Sequence, residues 1–138
     1  MTRSATTRAV FVVVLALSVL LTACSSSTAT QSIELVSPAA AAQVIADDPA
    51  DLVILDIRTL EEFNEARLAD AIMVDFYADD FADQLDTLDK DVPYVMYCRT
   101  GNRTSEAVKT MKELGFVEVY EIEGGIVNWY EQGYPIES

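Results

Sequence analysis

The sequence predicts an α/β domain built on a mostly parallel sheet. Two observations carry that prediction. Short runs of β-branched and aromatic residues alternate with segments bearing helix-start and helix-stop signals. One of those runs, Leu52 to Leu55, is apolar without alternation, as a strand covered on both faces must be. A length of 138 residues allows one ordinary domain.

In chain order, the first segment reads as an address. Arg3 and Arg8 form a basic start, and Ala9 to Leu21 is apolar apart from Ser18. That run is short of the ~20 residues that span a bilayer and fits the apolar core of a signal peptide over 1–23. Leu21-Thr22-Ala23-Cys24 resembles a bacterial lipobox. The resemblance implies cleavage before Cys24 and lipidation of that cysteine, palmitate being among the expected chains. It implies a protein on the outer side of a membrane of the cell envelope, held there by its N-terminal lipid only. Ser25 to Gln31 is polar and low in complexity. Residues 24–31 are therefore expected to form a flexible tether of at most about 25 Å. The domain is expected over 32–138.

Within it, Ile33 to Val36 reads as a short strand. Ser37 is a helix N-cap and Pro38 suits the first helical position. An Ala-rich helix runs to Asp47, and Pro49 stops it. Leu52 to Leu55 is the buried strand, with Asp56-Ile57-Arg58 at its carboxyl end. Thr59 with Glu62 forms a capping box, opening a short helix with Leu60 and Phe63 expected inward. Ala71 to Val74 is another short strand. Tyr77, Phe81, Leu85 and Leu88 recur on one helical face. Asp79, Asp80, Asp83, Asp86 and Asp89 lie off it, without the alternation or the glycine of a calcium loop, and read as a solvated surface. Pro93 introduces a strand from Tyr94 to Tyr97, with Cys98 at its carboxyl end. A helix from Arg103 places Ala107, Val108, Met111 and Leu114 on one stripe and ends at Gly115. Val117 to Ile122 is the last strand. Gly124-Gly125 opens a final short helix carrying Val127 and Trp129.

Composition excludes several chemistries. There is no histidine, which removes Ser–His–Asp and Cys–His catalysis and most zinc, copper and haem sites. No metal or organic cofactor is expected. The net charge is −14. Without Arg3 and Arg8, seven basic residues would face 23 acidic ones, a charge of −16. Such a chain is not expected to bind nucleic acid or a membrane through a basic face. The excess charge reads as a solubilising surface.

One stretch breaks that pattern. Residues 99–112 hold Arg99, Arg103, Lys109 and Lys112 with a single acid, Glu106. They follow Cys98, the one cysteine outside the N-terminal segment. A strand-to-helix turn containing Gly101 can curl its N–H groups toward one point. The helix N-terminus adds a positive dipole end, and Arg99 and Arg103 add full charges. Together these favour a thiolate and hold an incoming anion. In parallel sheets, sites sit at the carboxyl ends of strands, where Cys98 lies.

Cys98 to Ser105 is similar to the C-R-x-G-x-R-[ST] loop of the rhodanese family. Asp56-Ile57-Arg58-Thr59 with Glu61-Glu62-Phe63 resembles the family's D-[VI]-R-x-x-x-E-[YF] element. Gly124-Gly125 followed by Trp129 resembles its G-G-x-x-x-W element. The likeness covers the chain from about residue 32. It implies a rhodanese-like fold, a five-stranded mostly parallel sheet with helices on both faces. It also implies sulfur transfer through a Cys98 persulfide. The donor would be a small anion such as thiosulfate, and the acceptor a thiol or cyanide, with a protein of the envelope as one candidate. Arg99, Thr100, Gly101, Asn102 and Arg103 would form the substrate cradle. Asp56, Arg58 and Glu62 would be mainly structural, tying strand and helix ends together. One departure concerns a neighbouring loop. Where the family shows G-H-I-x-G-A, this chain has Ala66-Arg67-Leu68-Ala69-Asp70-Ala71.

Three other roles remain open at this stage. A rhodanese-like domain can carry or sense sulfur, or dock a partner, without rapid turnover. An unpaired Cys98 outside the cytoplasm can enter a mixed disulfide. Phosphatases and arsenate reductases of related fold use C-x5-R, one residue longer than the C-x4-R spacing from Cys98 to Arg103, so phosphate chemistry is disfavoured.

Overall fold

The protein is described by a computed structural model over residues 30–138. Residues 1–23 and Cys24 lie outside the described residues, as does the tether up to residue 29. Gln31 is not part of a free tether. Its side-chain amide donates to the carbonyls of Lys112 and Phe116, at 3.0 and 2.9 Å, and ties it to the end of α4.

Ten elements follow: β1 (Ser32–Val36), α1 (Pro38–Asp47), β2 (Val53–Asp56), α2 (Leu60–Glu65), β3 (Ile72–Met73), α3 (Phe81–Asp86), β4 (Pro93–Tyr97), α4 (Asn102–Leu114), β5 (Glu118–Ile122) and α5 (Gly125–Glu131). The strands form one sheet in the order β1-β5-β4-β2-β3, and every pairing is parallel. The fold class expected from the sequence is the one observed.

Side-chain alternation splits the core into two layers. Leu55, Met96, Cys98 and Val119 face α3 and α4 with Phe81, Leu85, Ala107 and Met111. Ile54, Val95, Tyr97 and Ile122 face α1 and α5 with Ala41, Ile126 and Trp129. Cys98 thus belongs to the α4 layer of a central strand.

Local signals account for most boundaries. Ser37 caps α1 through Ala40 N–H, with Pro38 at the first turn. The Thr59–Glu62 capping box forms in both directions. Gly115 ends α4 in the left-handed conformation.

Two expectations fail. Leu60 is 58% exposed at the first position of the six-residue α2, a helix too short to bury any of its residues fully. Tyr77 is 67% exposed and lies outside α3. Asp75 accepts the Tyr77 N–H at 2.9 Å, and this side-chain turn interrupts the expected helical face. The segment lacking the family's glycines is nonetheless ordered. Asp70 takes φ +59°, a region open to aspartate, and Leu68 donates its N–H to the Tyr97 hydroxyl at 3.1 Å.

Candidate active site

Cys98 directly follows β4, and a short turn leads from it into α4. Gly101 is the N-cap of that helix at φ +96°, a conformation that suits glycine. The turn brings the Gly101 N–H to the sulfur, which accepts it at 3.1 Å. The 13-residue α4 directs its N-terminal end at the same place. Cys98 itself is 1% exposed.

The final helix locks this turn from behind. Ile126 N–H donates to the Cys98 carbonyl at 2.9 Å, and Val127 N–H to the Arg99 carbonyl at 3.2 Å. Two free N–H groups at the start of α5 thereby find acceptors in the Cys98 loop. The approach is so close that a Cβ on Gly125 would press on the Cys98 carbonyl and sit 2.6 Å from the Arg99 oxygen. The glycine pair and the cysteine loop are therefore one structural unit.

The predicted cradle residues divide into two groups. Arg99, Thr100 and Asn102 are exposed at the mouth of the loop, and Arg99 has no ion pair among the described residues. Arg103 is instead held by Glu62 through two parallel bonds of 2.7 and 2.8 Å. Its guanidinium lies 5.5 Å from the centroid of the Tyr77 ring. The bond to Arg103 is the main cause that holds the Glu62 carboxyl down at about 2. The same bond raises Arg103 well above the ordinary arginine range. Glu62 also accepts the Thr59 N–H at 3.1 Å, so one carboxylate joins the cap of α2 to the first turn of α4.

Asp56 and Arg58 bond to each other and not to the sulfur, whose partners are Gly101 and Thr104. They form a buried pair at 2.6 Å, and Arg58 also donates to the Ala66 carbonyl. The pair fastens the end of β2 to the loop after α2. Burial pushes the Tyr97 phenol far up, leaving a neutral hydroxyl to receive Leu68 N–H beside this pair.

Two residues at the sulfur were given no role by sequence reasoning. Thr104 Oγ1 lies 3.8 Å from Cys98 Sγ and 2.5 Å from the Glu121 carboxylate. Glu121 is buried, on the same face of β5 as Val119. An acid at an inward position of the strand Val117 to Ile122 was the signal available.

A groove of about 390 Å³ runs beside the loop, lined by Arg99, Ala66, Val127, Tyr130 and Ile136 among others. A second cavity of about 310 Å³ lies at the amino ends of β2 and β3, and no thiol or hydroxyl side chain lines it. Among the described residues no cluster of three metal-ligating side chains occurs, and no helix is long and apolar enough to cross a membrane.

This chain is similar to known proteins in sequence and in structure. The family model described as rhodanese-like domain matches residues 37–132. A sulfurtransferase of Allochromatium vinosum is 30% identical over 89 residues, which is 64% of this chain and 81% of that protein. A tRNA uridine(34) hydroxylase of Erwinia tasmaniensis is 38% identical over 108 residues, 71% of this chain but 30% of the hydroxylase. The crystal structure of a rhodanese-related protein from Thermoplasma volcanium superposes with a TM-score of 0.66 at 27% identity, covering 75% of this chain and 97% of that one.

Proposed function

The chain belongs to the rhodanese-like domain family, and from that premise we propose that it is a thiosulfate-type sulfurtransferase with Cys98 as its nucleophile. The observation that carries the reading is the Cys98 sulfur at the N-terminal end of α4, accepting the Gly101 N–H at 3.1 Å. In the first half-reaction the Cys98 thiolate attacks the outer sulfur of thiosulfate. A new S–S bond forms, the donor S–S bond breaks, and sulfite leaves with the electron pair. In the second, cyanide or a thiolate attacks the outer persulfide sulfur and Cys98 leaves as thiolate. Arg99 steers the dianionic donor to the mouth. Thr100, Gly101 and Asn102 supply the turn around the bound sulfur. The engagement of Arg103 by Glu62 speaks against phosphate chemistry, which needs that guanidinium free for the oxyanion.

Near-complete burial of Cys98 supports a second reading, in which the persulfide is carried to a protein acceptor rather than turned over on small molecules. We also propose that Cys24 is acylated and anchors the domain outside the membrane, on the strength of the lipobox-like Leu21-Thr22-Ala23-Cys24.

One set of measurements tests all three. Cyanide-dependent turnover of thiosulfate should be rapid in the wild type and absent in Cys98→Ser. Intact mass after donor treatment should show one added sulfur on the wild type only. Added sulfur without turnover selects the carrier, and neither signal ends the sulfur-transfer reading. Protein isolated from membranes of the native host should begin at an acylated Cys24; an unmodified Cys24 in the mature chain overturns the anchor.

A further inference from the structure

The groove of about 390 Å³ meets the Cys98 loop at Arg99, whose carbonyl accepts the Val127 N–H at 3.2 Å. Its apolar lining is open to solvent. Val127 and Ile136 are 36% exposed and Tyr130 is 63% exposed, beside the one cysteine of the described residues. Apolar surface gathered in this way on an acidic domain marks a place of contact. The charges of the groove are unmatched. Glu65, the last residue of α2, and Glu131, the last of α5, also line it. Neither joins an ion pair among the described residues, and neither does Arg99. Glu131 stands four residues beyond Val127, one helical turn or about 6 Å from the contact with the loop. An anion is therefore favoured at the loop and a cation farther along α5.

Shape decides what kind of occupant fits. A site for a free small molecule encloses most of its ligand. This groove covers its occupant from one side, as a groove for an extended peptide does. The buried Cys98 sulfur is also reached more readily by a protruding segment than by a broad protein surface. We propose that the groove seats an extended segment of a partner protein that presents the acceptor cysteine to the Cys98 persulfide. An apolar residue follows that cysteine onto Val127, Tyr130 and Ile136, and a lysine or arginine beyond it meets Glu65 and Glu131. Two residues of extended chain span about 7 Å, which matches one turn of α5. The acceptor thiol gives its proton to water, and its thiolate, drawn by Arg99, attacks the outer persulfide sulfur. A new S–S bond forms on the partner, the Cys98 S–S bond breaks, and Cys98 leaves as thiolate with the electron pair.

The proposal rests on sulfur transfer through Cys98, so it is tested with and without that chemistry. The probes are capped peptides, acetyl-Cys-Leu-Lys-amide and acetyl-Lys-Leu-Cys-amide, beside the same peptides with Glu for Lys, and cysteamine. Sulfur transfer from the thiosulfate-loaded full-length protein is measured above the Cys98→Ser background. Each exposed ion pair is worth up to about fivefold, so the better Lys peptide should exceed its Glu counterpart about tenfold in kcat/KM. Glu65→Gln combined with Glu131→Gln should remove most of that preference and leave turnover with cyanide unchanged. Tyr130→Ala should raise KM about fivefold for both peptides. No preference for lysine, or a preference that survives the double variant, overturns the proposal. Cysteamine used as well as the Lys peptides overturns the peptide segment in favour of a free small thiol. Binding is read separately by NMR on full-length Cys98→Ser, with Ser in place of Cys in each peptide. The N–H signals of Val127, Tyr130 and Ile136 should move with the Lys peptide and move less with the Glu peptide. Signals that stay in place overturn the groove even where sulfur transfer is rapid. Movement of these signals in a protein whose wild type transfers no sulfur would refute the sulfurtransferase reading and leave the docking groove standing.

Discussion

Glu62 does two jobs with one carboxyl group. It closes the capping box of α2 and grips Arg103 in α4, so its loss loosens two elements at once. Its folded-state value of about 2 lies below the ordinary 4.5. The carboxylate therefore stabilises the fold fully above about pH 4.5, and that contribution disappears as the pH falls through about 2. Thermal melts of Glu62→Gln should lie below those of the wild type near neutrality, and the two should converge near pH 2. A gap that persists at pH 2 would mean that the lost interaction is not ionic. The residue types at the site were legible in the sequence. Cys98, Gly101 and the arginines could be placed from spacing and charge. The Glu62–Arg103 bond could not, since 41 positions separate the partners and nothing local marks the pairing. Glu121 escaped notice because strand residues were read for their apolar pattern, and the exception within it was passed over.

Among elements, α5 matters more than its seven residues suggest. Its first N–H groups supply the bonds that hold the carbonyls of Cys98 and Arg99, and only a residue without Cβ lets it come close enough. Gly125→Ala should therefore cost about 2 kcal/mol or more and abolish activity in whatever protein still folds. Gly115→Ala is the control. It has a similar positive φ but nothing within 4 Å of a new Cβ, so it should cost about 1 kcal/mol and leave turnover intact. Equal effects from the two would show that backbone strain, not the approach of α5, is what Gly125 relieves. Strand–helix alternation, Pro38, the Thr59–Glu62 box and Gly115 made most elements readable in advance. The helix that buries Phe81 and Leu85 was readable too, but not its start: spacing of four, four and three fits a helix from Tyr77 yet cannot reveal that Asp75 has already bent the chain there.

At the scale of the whole molecule, acidic charge far exceeds the cations available to pair with it. The described residues hold five ion pairs, while the chain carries a net −14. Repulsion among the unpaired carboxylates works against the compact state and is screened by salt. The melting temperature should rise as ionic strength goes from about 0.01 M to about 0.5 M. A fall would mean that the five ion pairs outweigh the surplus. The sheet order has a consequence of another kind. β1 pairs only with β5, so Ser32 must wait for Glu118 before that edge of the sheet is complete. During synthesis, the first strand to emerge is among the last to be seated, and closure is a long-range and slow event. A chain that stays open until its C-terminal strand arrives can be threaded through a narrow pore before it folds, and a chain stalled short of Glu118 offers proteases and chaperones an unpaired β1.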